Sequence, residues 1–559
     1  MHLKKWLLLS VFVMFSVSSI LGQDVEGIMN SKPIEFNGRI SAGMSFSATN
    51  QDVSRFSPYS YRLIGSPTLS LYGFDLPFTF AIYDSKFNFS KPTNRFGLNP
   101  RYKWIQLFFG ENSYSMSPYV MSGVPVKGYG IELTPGKFNF TATTGTVNNL
   151  FPTSDTLIYA GFRLPTFERK LSAVRLGFNH RKFGIELSAV KAKDNQLDEV
   201  LIPDSLKTRI NPEENFALGL KIDVGISKYI RLGLNAGGSL ITDDLAADDV
   251  MLEPFIQNLA DKVLDPNRST RASWAGEAYL RFNYKGFMLG GKIKRIEPNF
   301  RTLGLYSVTD DYQNYTIDTR FSLFKRKLSI GGSIGFQQNN LRKSRLTTSL
   351  RNIVNVNASY FHSSAFSING NYFNFTQGQE AGLIEVNDSL RFGQVSQNLS
   401  ISPRYTIRSG ENSHLISLTY MTFGLTDMSS FYDEPFQSNN TNINTNYSYR
   451  IKKSGLSIRG GLNYGNSVSG INENARVGVT IGLSKKLKES INASLSNNFN
   501  LRTQDGVNDG WMNAVRLNLS YPVSKKQNIS FSLNHSLRNS TRTGLISTIR
   551  SNINYSLRL

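Results

Sequence analysis

The chain has 559 residues, with 62 Lys and Arg against 41 Asp and Glu, a formal net charge of +21 and no Cys. Without Cys there is no disulfide framework, no thiolate chemistry and no lipid-anchored cysteine. The mean hydropathy of −0.26 would argue against a membrane for a helical protein. It excludes nothing for a β-barrel, whose water-facing residues dilute its lipid-facing ones.

The first residues read MHLKKWLLLSVFVMFSVSSILGQ. Lys4 and Lys5 form a positive start, Trp6–Ile20 an apolar core, and Gly22 a small residue before Gln23. This pattern predicts a cleaved signal peptide over residues 1–22, a short periplasmic segment over 23–35 and a barrel over 36–559. No later apolar run approaches the ~20 residues a spanning helix needs.

From Phe36 onward apolar and polar residues alternate. The pattern predicts strands at Phe36–Ala48, Tyr61–Gly73 and Leu76–Phe87, then Arg101–Phe109, Gly128–Leu133 and Lys137–Val147. Phe167–Asn179 pairs with Phe183–Ala192, Asn215–Val224 with Tyr229–Leu240, and Ala272–Tyr284 with Phe287–Arg295. The alternation is clearest in Asn314–Gln338. Tyr315, Ile317, Thr319, Phe321 and Leu323 share one face, and Thr316, Asp318, Arg320 and Ser322 the other. A period of two means strands, because successive side chains leave opposite faces of a pleated ribbon. Later strands include Val477–Leu487, Ile491–Leu501, Trp511–Tyr521 and Ile529–Leu537, and Leu545–Leu559 closes the series. The expected fold is all-β, a large antiparallel up-and-down transmembrane barrel of roughly 24–26 strands.

Connections alternate short and long. Basic turns such as Lys325-Arg326-Lys327 and Lys452-Lys453-Ser454-Gly455 contrast with loops at Lys193–Glu214, Ile241–Arg271 and Glu297–Gln313. In outer-membrane barrels short turns face the periplasm and long loops face outside. Within Ile241–Arg271, Phe255, Leu259 and Val263 share the face of a short helix, and the acids Asp243, Asp244, Asp248 and Asp249 lack the spacing of a calcium loop. Gly110–Lys127 breaks the alternation, and an inward loop or a turn between wall strands both fit it.

Four stretches carry a resemblance: SPYVMSGVPVKGYGIELTPGKFNFTATTGTVN from Ser117, NPEENFALGLK from Asn211, RIEPNFRTLGLYSVTDD from Arg295 and LSIGGSIGFQQNNL from Leu328. With the alternation around them they resemble the porin-like outer-membrane β-barrel proteins of Bacteroidota. That resemblance implies an integral outer-membrane barrel and carries over no catalytic or ligand-binding residue. The chain ends in Leu559, whereas such barrels commonly end in an aromatic residue.

Catalytic signals are weak. The five His, among them His180, His362, His414 and His535, share no metal-ligand spacing, and no GxSxG elbow occurs. The expectation is a non-enzyme with no cofactor and no metal. The inward positions are more informative. Lys221, Arg231, Arg281, Lys292, Lys294, Arg320, Arg404, Arg459, Arg516 and Arg550 outnumber the inward acids Glu132, Glu186, Asp223, Glu277 and Asp318. Scattered over many strands, these cations suit lipid headgroups and an aqueous lumen better than nucleic acid, which is not expected as a partner. The reading is a porin-like passive channel or transporter for small, anionic solutes, with outer-membrane lipids and the barrel-assembly machinery as partners. The alternative is a non-conducting barrel subunit of an outer-membrane assembly or secretion complex.

Overall fold

The computed structural model describes residues 33–51, 57–84, 95–148, 167–195, 211–249, 262–383, 393–428, 436–488 and 490–559. The expected signal peptide, most of the segment 23–35 and the core of the loop helix, including Phe255 and Leu259, lie outside these residues. Strands begin at Ile34, and the strand Gly544–Arg558 pairs with Arg39–Thr49 to close the sheet. All pairings between strands are antiparallel. Twenty-nine strand segments make 26 walls, because three walls are interrupted: at Gly38, at Ser66-Pro67 and at Asn99-Pro100.

Closure explains where each face goes. Register partners on neighbouring strands share a face, so one continuous set of side chains lines the inside of the cylinder and the other coats the outside. Outside lie exposed Val174, Leu176, Leu187, Leu218, Leu280, Ile317, Leu462, Val479, Ile481 and Leu483. This apolar coat is far larger than any patch a water-soluble monomer exposes. Near the short turns the coat ends in aromatic pairs. Phe138–Phe178 lies at 5.0 Å, Tyr229–Tyr284 at 5.2 Å and Phe287–Phe321 at 5.4 Å between ring centroids. Amphipathic rings favour the depth where hydrocarbon meets headgroups. A strand of 12 residues such as Glu214–Gly225, rising ~3.3 Å per residue and tilted ~40°, covers roughly 30 Å of membrane normal.

Both described ends of the chain meet at one rim, where the Leu559 N–H donates to the Gly38 carbonyl at 2.9 Å. That rim carries only tight turns, such as Lys285-Gly286 between Thr270–Tyr284 and Phe287–Ile296. The strand ends that bound 195–213, 243–269 and 297–311 all lie at the other rim. The expected alternation of short and long fails in the last quarter of the chain. There the far rim also has tight turns, at Gly470-Ile471, Asp505-Gly506 and Thr541–Thr543. One turn also differs: Tyr72-Gly73, both with positive φ, links the walls where the sequence suggested Phe74-Asp75, so the next strand is Phe74–Asp84.

Candidate functional site: the barrel lumen

The stretch that breaks the alternation folds inward. The strands Ile105–Ser117 and Met121–Leu133 pair with their wall neighbours only up to Gly110 and Lys127. Beyond that line the two strands leave the wall and pair with each other, with one parallel bridge from Ser122 to Leu305. Gly110 and Gly128 are register partners at the bend. Gly110 has φ +84°, and a Cβ there would sit 2.3 Å from the Phe96 carbonyl oxygen. Only glycine satisfies both conditions.

The hairpin tip crosses the lumen side of the wall, with Pro118 exposed and the three residues after it covered. Val120 and Met121 are 0% exposed and Tyr119 is 3% exposed. Val120 and Met121 share an apolar cluster with Leu171, Ala173, Val190, Ala192, Ala217, Ile241 and Leu303, while Tyr119 packs with Ala275, Ile296 and Phe300. Two wall glycines make room. A Cβ on Gly219 would come within 2.7 Å of Val120 Cγ2, and one on Gly237 within 2.5 Å of Tyr119 Cβ. From above, residues 301–305 lie across the tip. Thr302 Oγ1 shares its single proton between the Val120 carbonyl at 3.2 Å and Asn215, and the Ser122 N–H donates to the Gly304 carbonyl at 3.3 Å. Asn215, fully buried on the wall, ties the layers together. Its Oδ1 accepts from Thr302 Oγ1 and from the Leu303 N–H, each at 3.0 Å, while its Nδ2 donates to Ser239 Oγ at 2.7 Å. Buried polar groups are stable when fully bonded, and this one is.

The pairing register puts all ten sequence-derived cations on the same face as this hairpin, the lumen face. They fall into two groups. On the hairpin side Lys221 pairs with Glu186 at 3.1 Å and Arg231 with Asp223 at 3.3 Å. Lys294 lies over the rings of Tyr119 and Tyr312 at 5.7 and 5.5 Å. Arg281 is the register partner of Arg231 and stands over the Tyr279 ring, whose hydroxyl donates to Asp223 at 2.7 Å. Arg281, Lys292, Arg320, Arg404, Arg459 and Arg516 have no carboxylate within ion-pair distance among the described residues. Arg459, Arg516 and Arg550 lie on one cross-strand row, with Gly482, Ser496 and Asn534 between them.

Several lumen cations were absent from the sequence reading. Arg175 bonds Glu132 at 3.1 Å beneath the hairpin, and Arg169 bonds Asp194 at 2.7 Å and Glu213 at 2.9 Å near the loop rim. Arg476, Arg502 and Arg538 line an open recess of about 370 Å³ on the C-terminal wall. Each lies one residue beyond the strand end expected from alternation, since the strands run over Asn472–Leu487, Ile491–Gln504 and Gln527–Ser540. Above the hydrocarbon band the outward residues, such as Ala475, Thr503 and Asn539, are no longer strongly apolar. The hydropathy signal therefore fades while backbone pairing continues. On the loop rim Lys193, next to the end of the strand Phe183–Asp194, donates at 2.9 Å to Asp265, which lies outside the strands, and holds its carboxyl below the ordinary range.

No protein-family model and no curated protein sequence matches the chain. Among solved structures it is similar to the P pilus usher PapC translocation pore, with 10% identity over 94% of this chain and 99% of that one and a TM-score of 0.36. The ferric citrate transporter FecA gives 9% identity over 94% and 79% of the two chains, with a TM-score of 0.37. OccK9 of Pseudomonas aeruginosa gives 11% over 62% and 92%, with a TM-score of 0.30. At such identities and scores the likeness says nothing of what this chain binds or carries.

Proposed function

We propose that the chain is an integral outer-membrane porin-like channel that passes small solutes passively and favours anions, with no catalytic step. One observation carries this reading. The 26-strand sheet is closed with its charged face inward, and the hairpin that enters it is seated on one flank. Twenty-six strands at ~4.8 Å spacing give a perimeter of roughly 125 Å, far more than one two-stranded hairpin fills. The unpaired wall cations face water, and within a Debye length of ~8 Å they hold the local potential positive. The apolar coat and aromatic pairs fit outer-membrane lipids, and the barrel-assembly machinery would insert the chain after its signal peptide is removed.

The test is planar-bilayer recording of the purified protein across a KCl gradient. Steady conductance with a reversal potential favouring Cl⁻ supports the reading. Preference for K⁺ sinks the selectivity, and absence of any current points to a non-conducting subunit of an envelope assembly. Orientation is read separately. A protease site between Ala246 and Asp249 should be cut on intact cells, and one within Lys452–Gly455 only after the outer membrane is opened.

A further inference from the structure

The C-terminal wall holds an arrangement that its own sheet does not explain. Arg476 and Arg502 are direct register partners on neighbouring strands. Such partners have Cα atoms only ~4.5–5.5 Å apart, and like charges there repel. Arg538 follows beyond the strand Val507–Pro522, opposite Met512, itself opposite Asn500. For three guanidinium groups the wall supplies one carboxylate. Asp509 Oδ2 lies 3.6 Å from Arg502 Nη2, while its Oδ1 already accepts from Ser540 Oγ at 3.1 Å and Thr541 Oγ1 at 3.0 Å. Arg476 gets a neutral partner, Asn442 Oδ1 at 2.8 Å. Among the described residues no carboxylate lies within ion-pair distance of Arg476 or Arg538, although Arg538 is near enough to add to the positive field at Asp509. Another direct pair of this kind in the lumen, Arg231 and Arg281, has Asp223 3.3 Å from Arg231 and the Tyr279 ring under Arg281.

The surroundings hold the charges in place and leave space in front of them. A Cβ on Gly465 would lie 2.6 Å from Arg476 Nε, so the glycine lets that side chain lie along the wall. Asn440, Asn442, Asn474 and Asn500 line the 370 Å³ recess beside the charges, together with Ser467 and Met512. The neighbouring rim turns Gly470-Ile471 and Asp505-Gly506 are of two residues each, so no long loop springs from the wall directly above it.

We propose that this recess binds a small hydroxylated anion, a sugar acid or a sugar phosphate, arriving from the loop side. Guanidinium forks match the planar or tetrahedral oxyanion, and three cations sharing one carboxylate suit a ligand charge of one or two. Asparagine amides donate and accept at once, which is what a row of hydroxyls requires and a bare inorganic anion does not. The volume falls within the ~300–1,000 Å³ range of small-molecule sites. The proposal deepens the channel reading by giving it a solute class and a first binding station.

Isothermal titration of the purified full chain in detergent tests it without any current. The probes are gluconate and glucose 6-phosphate, with glucose and inorganic phosphate as comparisons. Wild type should bind at least one sugar anion at least ten-fold more tightly than either comparison. Which of the two binds assigns carboxylate or phosphate as the recognised group. Arg476→Gln/Arg502→Gln/Arg538→Gln should weaken that binding at least ten-fold, and Arg281→Gln/Lys292→Gln on the other flank less than two-fold. The single Arg538→Gln variant should give an intermediate loss, which guards against misfolding of the triple variant. Equal binding of inorganic phosphate, no binding of either sugar anion, or a triple variant equal to wild type overturns the proposal. A protein that binds but carries no current fails the channel reading alone, and one that conducts but binds nothing fails the recess alone.

Discussion

Two flanks of one cylinder follow the same alternation and end up with different interiors. On the flank built from Arg169–His180 to Ile230–Thr242, the upper lumen face is small or apolar: Leu171, Ala173, Val190, Ala192, Ala217 and Ile241. On the wall from Phe436–Ile451 to Gly544–Arg558 it is amide, hydroxyl and guanidinium, with Asn442, Asn446, Asn463, Arg476, Asn500 and Arg516. The first interior touches protein, the hairpin tip at Val120 and Met121, and the second borders the open recess. A lumen residue is thus chosen by what stands opposite it, and an apolar patch inside a barrel marks something folded against it.

Removing the hairpin should break the contrast most strongly. Replacing Asn112–Pro125 with an Asn-Gly turn should at least double single-channel conductance. It should also lower the thermal midpoint by several degrees, because the wall cluster loses its cover. Exchanging Asp505-Gly506 for Asn-Gly on the other wall should leave both quantities unchanged. An unaltered conductance after hairpin removal would place the hairpin outside the solute path.

Selectivity should separate paired from unpaired cations. Arg459→Glu with Arg516→Glu should move the reversal potential toward cations by tens of millivolts in a ten-fold KCl gradient. Arg281, Lys292 and Lys294 changed together to Glu should act in the same direction. Lys221→Gln with Glu186→Gln, which removes a pair of no net charge, should shift it by less than either. Equal shifts from all three variants would remove the distinction between the flanks.

Stability should show the contrast at the level of single side chains. Val120→Ala should cost about 1–3 kcal/mol in reversible urea unfolding, since it leaves a cavity in a dry contact. Asn215→Ala should cost a similar ~1–3 kcal/mol by leaving the Leu303 N–H unbonded in the interior. Asn446→Ala, on the water-lined wall, should stay within ~0.5 kcal/mol.

The smallest effect belongs to the loop rim. The folded Asp265 carboxyl titrates below its ordinary 3.8 because Lys193 bonds its charged form. Its contribution is therefore present above that pH and fades as pH falls through the lower folded value. Hydrogen exchange of residues 262–268 should quicken only below about pH 3.8, and Asp265→Asn should remove that dependence. Because the pair is largely exposed, the change should be confined to the rim.

The sequence by itself determined which residues share a face, because a period of two is local and each strand carries its own record of inside and outside. That was enough for a closed barrel, for the rim with tight basic turns and for the ten lumen cations from Lys221 to Arg550. It failed first at strand ends, where Arg476, Arg502 and Arg538 lie past the apolar band and alternation no longer reports pairing. It failed also at Gly110–Lys127, where an irregular stretch fits a turn or an inward fold equally well. Only the closed tertiary structure decided that Tyr119 meets Gly237, that Thr302 bonds Val120, and which lumen cations have an acid beside them. Those contacts join residues far apart in the chain. They depend on where a bent hairpin lands once the cylinder has closed, which no local pattern encodes.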